Sequence, residues 1–291
     1  MTEKDNSREL WKVAVLGVGN MAQALVEGFS RANGGGILEG KNVPRLKFYF
    51  FNPSQTKAME AAKKYSGEHL TDLKDLQQDH FNMIMLGCKP QQFNELAQEL
   101  APNLKGDEII FSMMAALSTD VISKKLGVSK GKVIRIMPNT PNSVGFGANL
   151  IYFGQGIGLP EKVQVQALLD HFSLNYPVKE ETMIDQLTFF TGCMPALVFE
   201  FVRLLQAQMI LVGLDAKQAQ DLLTQTFLGS SMLLKLSGKS AEQLRSEVTS
   251  KGGVTAEALK VLADYKLDQI FKEAELNALK RNQEISNLYK N

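Results

Sequence analysis

Apolar and polar positions follow two rhythms along this chain. In the first half, short apolar runs alternate with stretches where apolar residues recur at helical spacing. Residues 13–16 (VAVL) read as a buried strand, and Met21, Leu25 and Phe29 then recur as one face of a helix. Asn33 to Gly36 end that helix and open a loop through Pro44. Residues 47–51 (KFYFF), 81–87 (FNMIMLG), 108–113 (EIIFSM), 132–136 (KVIRI) and 149–153 (NLIYF) read as the second to sixth strands. Helix signals fall between them: Ser54 ahead of Gln55 as a cap, Pro90 in a first turn, and Ser118 or Thr119 capping a helix through Leu126. Such alternation predicts a parallel, right-handed, doubly wound sheet. A helix over 161–172 and a short edge strand over 176–179 follow.

From Glu181 the helical rhythm takes over. The pattern predicts helices over 196–212, 216–236, 241–248, 256–263 and from Leu267 to near Leu288. Gly213 stops the first, Asp215 caps the second, and Ser240 with Gln243 forms a capping box for the third. Helix 196–212 is apolar on more than one face, which suits burial in a core or an interface. Dimerisation through this half is the inference; a self-contained bundle is the alternative. The fold class is therefore α/β: a Rossmann-type doubly wound sheet over residues 10–180, followed by an all-α dimerisation domain over 181–291.

Composition narrows the setting. Of the 291 residues, 44% are hydrophobic, enough for a sizeable core. Lys and Arg number 32 against 31 Asp and Glu, for a net charge of +1. That balance argues against a nucleic-acid or membrane partner, which calls for a basic excess. Cys88 and Cys193 lie far apart, without metal-ligand spacing, which fits a reducing compartment. Met1 to Leu10 is polar and reads as a loose leader rather than a signal peptide. No apolar run is read as reaching the roughly 18 residues of a membrane span. The expectation is a cytoplasmic protein with no metal.

The chemistry centres on the first strand–helix junction. Gly17, Val18, Gly19, Asn20, Met21 and Ala22 spell the dinucleotide fingerprint with Ala in its third position. Gly17 permits the tight turn, Gly19 lets a pyrophosphate approach the backbone, and Ala22 lets the helix pack on the strand. The end of strand two carries Asn52, Pro53 and Ser54, with Lys57 a turn later. No carboxylate there would repel a 2′-phosphate, so NADPH is favoured, with NADH possible. Lys89 lies at a strand's C-terminal end, where ligands bind in such sheets. His69, His80 and His171 read as surface residues, and no hydrolase elbow or P-loop is present. Cys88 reads as a small space-filling residue. Hydride transfer, which needs positioning more than acid–base machinery, remains. The paired glycines before a helix start at Ser250 to Thr255 could hold an anion on backbone N–H groups. Thr255 could cap that helix or donate to a substrate atom.

These residues resemble pyrroline-5-carboxylate reductases. The markers are VAVLGVGNMAQAL from Val13, Cys88-Lys89-Pro90, RIMPNTPNSVGFGANLIY from Arg135, and LRSEVTSKGGVTAEAL from Leu244. The resemblance implies a homodimer or higher homo-oligomer and NAD(P)H-dependent reduction of 1-pyrroline-5-carboxylate to L-proline. It implies that Gly17 to Ala22 hold the pyrophosphate, that Asn52 and Ser54 lie by the adenosine ribose or its phosphate, and that Cys88, Lys89, Pro90 and Ala115 lie along the cofactor. Asn139 and Thr140 would lie near the nicotinamide. Ser250, Gly253, Val254 and Thr255 would form the substrate pocket, with Thr255 the catalytic hydroxyl. The chain departs from the family's usual residues at Met194, Leu197 and Lys251. Those departures leave a second reading, a diverged member that binds NADP as a regulatory protein or reduces another cyclic imine.

Overall fold

The computed structural model describes residues 8–34, 43–129 and 131–289. The leader before Arg8 and the loop over 35–42 lie outside them. Among the described residues the first half is built on the strands and α-helices β1 (Leu10–Leu16), α1 (Asn20–Gly34), β2 (Arg45–Phe51), α2 (Gln55–Lys64), β3 (Glu68–His69), β4 (Met83–Leu86), α3 (Phe93–Leu100), β5 (Ile109–Ser112), α4 (Thr119–Leu126), β6 (Val133–Met137), β7 (Gly147–Phe153), α5 (Leu159–Asp170) and β8 (Ser173–Pro177). The strands form one sheet in the order β3-β2-β1-β4-β5-β6-β7-β8. β4, at the centre, is apolar throughout because both its faces are covered. Val13 and Val15 of β1, with Met83 and Met85 of β4, point into a core with Phe29 and Phe172. Ala14, Leu16, Ile84 and Leu86 point into the opposite core with Phe93 and Leu100.

The sheet departs from the all-parallel expectation at β7, which runs antiparallel to β6. Only a single-turn 3-10 helix (Thr140–Val144) separates them, and a parallel crossover needs a dozen or more residues. β3 was not anticipated, since two polar residues carry no apolar run. The edge strand lies a few residues upstream of its expected place. Ser54 occupies the position before α2 but makes no capping bond. Instead the Asn52 amide donates to the Ser54 carbonyl at 3.3 Å. Pro90 opens a 3-10 turn (Pro90–Gln92) before α3.

By packing, the chain divides into two compact units. The first takes the described residues up to Cys193 and those from Leu279 on; the second is Met194–Ala278. The sequence boundary at residue 180 falls before that division. The first unit therefore also holds α6 (Thr182–Thr188). It is tied down by Arg135, which is 1% exposed and forks onto Asp185 at 2.6 and 3.2 Å and onto Glu181 at 3.3 Å. Glu181 also accepts the Thr119 N–H and hydroxyl, at 2.7 and 2.8 Å. Asn282 donates to Asp185 at 2.8 Å.

The second unit is helical: α7 (Met194–Leu211), α8 (Ala216–Ser237), α9 (Ala241–Glu247), α10 (Val254–Asp264) and most of α11 (Leu267–Asn287). Asp215 and Ser240 cap α8 and α9 as the sequence predicts, and the structure adds a capping box with Gln218 to the expected one at Ser240 and Gln243. Ala219 is the one buried residue of this unit, while Phe199, Leu211, Val212 and Leu236 are largely exposed. A self-contained bundle would bury such residues, so this unit is not one.

A π-helical turn (Phe189–Cys193) joins α6 to α7, making Thr182–Leu211 a continuous run of 30 residues. Its best window has a mean hydropathy of 1.4, which reaches the spanning range by length and composition and corrects the reading that no run does. Pro195 lacks the N–H that would bond back to Thr191. The Thr191 carbonyl accepts from the Asn139 amide instead, at 3.3 Å.

Candidate active site

In open α/β sheets, ligands bind where the strand order reverses. Here that point lies between β1 and β4, beyond Leu16 and Leu86. Gly17 turns the chain there with φ of +95°, and a Cβ on it would lie 2.8 Å from the Cys88 backbone nitrogen. A Cβ on Gly87 would lie 2.5 Å from the Gly17 carbonyl oxygen and 2.9 Å from the Ala22 Cβ. The small residue at position 22 thus lets α1 pack against the β4 end. Gly19 is open, with its nearest neighbour 3.8 Å away. The Val18 N–H donates to Asn52 Oδ1 at 3.1 Å, joining the β1 turn to the β2 end. α1 begins at Asn20 with no acidic residue in its first turn, so its first N–H groups stay available to an anion.

A cleft of about 880 Å³ opens over this turn. Its wall includes Gly17, Val18, Gly19, Asn52, Ser54, Lys57, Cys88 and Lys89. Asp72, Glu95 and Glu99 also line it, and Asp72 accepts the Lys74 N–H at 2.9 Å. The glycine turn, an α1 start with no acidic residue in its first turn and a carboxylate-free β2 end together fit a dinucleotide. Sequence reasoning missed Gly87, although it follows an apolar strand just as Gly17 does, and also missed Thr71, Gln92 and the cleft's carboxylates.

The other candidates are distributed. Met21 and Ala22 belong to the packing of α1, while Asn20 and Thr140 line a smaller cavity of about 260 Å³. Pro90, Ala115 and Asn139 are not in the large cleft's wall. Asn139 is buried and accepts the Ala148 N–H at 3.1 Å, so its amide braces the π turn and the start of β7. Burial pushes the Cys88 thiol up to about 11, and its sulfur lies 3.6 Å from Met114 Sδ. That burial disfavours the thiolate, the form a nucleophile needs. His69 lies in β3 against Gln55, while His80 faces Asp107 and His171 the Ala167 carbonyl. Among the described residues no cluster of His, Cys, Asp or Glu could hold a metal.

In the second unit, Gly252 turns with φ of +69° and Gly253 precedes α10 in extended conformation. A Cβ on Gly253 would lie 2.3 Å from Ser250 Oγ. The Gly253 N–H donates to the Ser250 carbonyl at 3.0 Å, closing the loop. No side chain caps α10, and Thr255 lies inside its first turn rather than at the cap. Ser250, Val254 and Thr255 are exposed, with Val254 at 91%.

Comparison with known proteins places this geometry. The chain is 32% identical over 277 residues to the pyrroline-5-carboxylate reductase of Staphylococcus haemolyticus, covering 94% of this chain and 98% of that one. The chain belongs to the pyrroline-5-carboxylate reductase family. A family model described as pyrroline-5-carboxylate reductase dimerisation matches residues 181–285. One described as NADP oxidoreductase, coenzyme F420-dependent, matches residues 12–116. A pyrroline carboxylate reductase of Plasmodium falciparum, solved with NADP bound, shares the fold with a TM-score of 0.82 at 23% identity, over 96% of this chain and 100% of that one. A pyrroline-5-carboxylate reductase of Coxiella burnetii aligns with a TM-score of 0.78 at 28% identity, over 94% and 98%. The exposed apolar residues of α7 and α8 lie within the span of the dimerisation match.

Proposed function

We propose that this chain catalyses NAD(P)H-dependent reduction of 1-pyrroline-5-carboxylate to L-proline, as a homodimer in the cytoplasm. The observation that carries this reading is near full-length similarity to named reductases together with the glycine cradle at the switch point. Two unpaired thiols support a reducing compartment. Residues 10–180 serve the cofactor, and residues 181–291 serve the substrate and the dimer.

NAD(P)H, when bound, supplies the hydride. The N–H groups at Gly17 to Ala22 offset pyrophosphate charge, and Asn52 fixes the turn that presents them. The Ser54 hydroxyl, free of capping duty, and Lys57 favour the 2′-phosphate of NADPH over NADH. The uncapped N–H groups at the start of α10 bind the substrate carboxylate, and Ser250 shapes that loop through Gly253. Thr255 Oγ1 holds a proton at the ring nitrogen, which must gain one as the imine becomes an amine.

The test is NADPH oxidation by the purified chain with and without 1-pyrroline-5-carboxylate, repeated with NADH. Oxidation that depends on substrate and runs better with NADPH is expected. No substrate-dependent oxidation would sink the activity. Thr255→Ala is expected to lower kcat about 100-fold while leaving NADPH affinity within about twofold. Equal loss of both would remove Thr255 from its role.

A further inference from the structure

The two edges of the sheet are built differently. β3 ends one side with two residues, and Glu68 is paired to Lys47 at 2.5 Å. A short, charged strand is how proteins protect a free edge. β8 ends the other side with Ser173, Leu174, Asn175, Tyr176 and Pro177, which include no charge. Leu174 is 76% exposed and Tyr176 61%, and they share one face of the strand.

On the outer side of β8 the Ser173 carbonyl accepts the Asn175 side-chain amide at 3.1 Å. Ile151 of β7 lies opposite Pro177, and the Val178 N–H donates to the Ile151 carbonyl at 2.8 Å. Backbone polarity alternates along a strand, so Leu174 and Tyr176 face β7, while Ser173 and Asn175 turn their N–H and C=O groups outward. Side chains hold this strand in place. Asn149 donates to Ser173 Oγ at 3.0 Å and to Asn175 Oδ1 at 2.8 Å. The edge also adjoins the dimerisation segment within the first unit: Val178 shares a buried cluster with Ile184 of α6, which lies inside the matched residues 181–285.

We propose that β8 pairs antiparallel with β8 of a second copy of this chain, across a two-fold axis at Asn175, joining two eight-stranded sheets into one. The proposal rests on the homodimer reading. The strand is self-complementary about that axis, as an isologous contact requires. The two Asn175 residues exchange backbone hydrogen bonds, and the Ser173 N–H donates to the copy's Pro177 carbonyl. Leu174 of one chain then covers Tyr176 of the other. Pro177 has no N–H to offer, which ends the pairing there.

Sedimentation measures the assembly, and hydrogen exchange reads the edge. In the wild-type dimer the Asn175 amide is expected to exchange about 100-fold more slowly than in a free chain. Leu174→Lys with Tyr176→Lys, both on exposed positions, should abolish that protection by setting like charges across the pair. Leu174→Cys with Tyr176→Cys should give a covalent dimer on mild oxidation, because directly opposed residues fall within disulfide reach. The wild-type chain should give none. A dimer with an unprotected Asn175 amide overturns the edge pairing, cross-linked or not, and leaves the homodimer standing. A monomer in sedimentation overturns both.

Discussion

One methyl group is more than the β1 turn has room for. Gly17 has a left-handed φ of +95°, and the space for its Cβ is filled by the backbone of Gly87 and Cys88. Backbone cannot rotate away as a side-chain tip can. Gly17→Ala should therefore cost about 2 kcal/mol in stability from the backbone conformation alone. It should also push the β1 and β4 ends apart and weaken NADPH binding at least tenfold. Thermal melts and calorimetric titration would check this, and unchanged NADPH affinity would show that the turn is not the cradle. Gly253 is constrained differently, since its neighbour is the Ser250 hydroxyl, the end of a small side chain. Cys88 makes the opposite point. With its thiol raised to about 11 by burial, it stays protonated at neutral pH.

At the scale of elements, α6 is held by charge rather than by size. It is a seven-residue helix whose Ile184 is fully buried and whose Asp185, with Glu181 just before it, meets the Arg135 fork. Arg135→Met would leave two carboxylates facing an apolar site, and the expected loss is about 3 kcal/mol, read as a lower urea midpoint. A second change, Asp185→Asn in that background, should recover part of the loss by removing one stranded charge. This network was invisible in the sequence, where residues 132–136 read simply as a strand. What was legible there followed from local physics. The central strands announced themselves because both faces are buried, α8 because Asp215 caps it, and α9 because its capping box spans four consecutive residues. β3 was missed because its two residues carry no pattern. The direction of β7 was missed because apolar spacing is the same in either sense, and only the short link after Met137 decides it. The fingerprint was readable because glycine answers a backbone need, whereas the bracing role of Asn139 depends on Thr191, a distant residue left without its helical partner.

At the scale of the molecule, the first unit is not one continuous stretch of chain. Residues after Leu279 return to it, and Ile285 and Tyr289 pack into the core that also holds Phe93 and Leu100. Tyr289 is 7% exposed. Tyr289→Ala should lower stability by about 3 kcal/mol, and the loss should appear in the melting of the NADPH-binding unit. A melt that leaves that unit unchanged would show the return contact to be superficial. The same arrangement orders events in time. During synthesis, the strands of the sheet emerge long before the segment that seals their second core, with the whole helical unit made in between. The cofactor-binding half therefore waits, partly uncovered, for a late-made piece of the same chain. A chain that stops within the helical unit lacks Ile285 and Tyr289, and with them part of the packing over the core of Phe93 and Leu100.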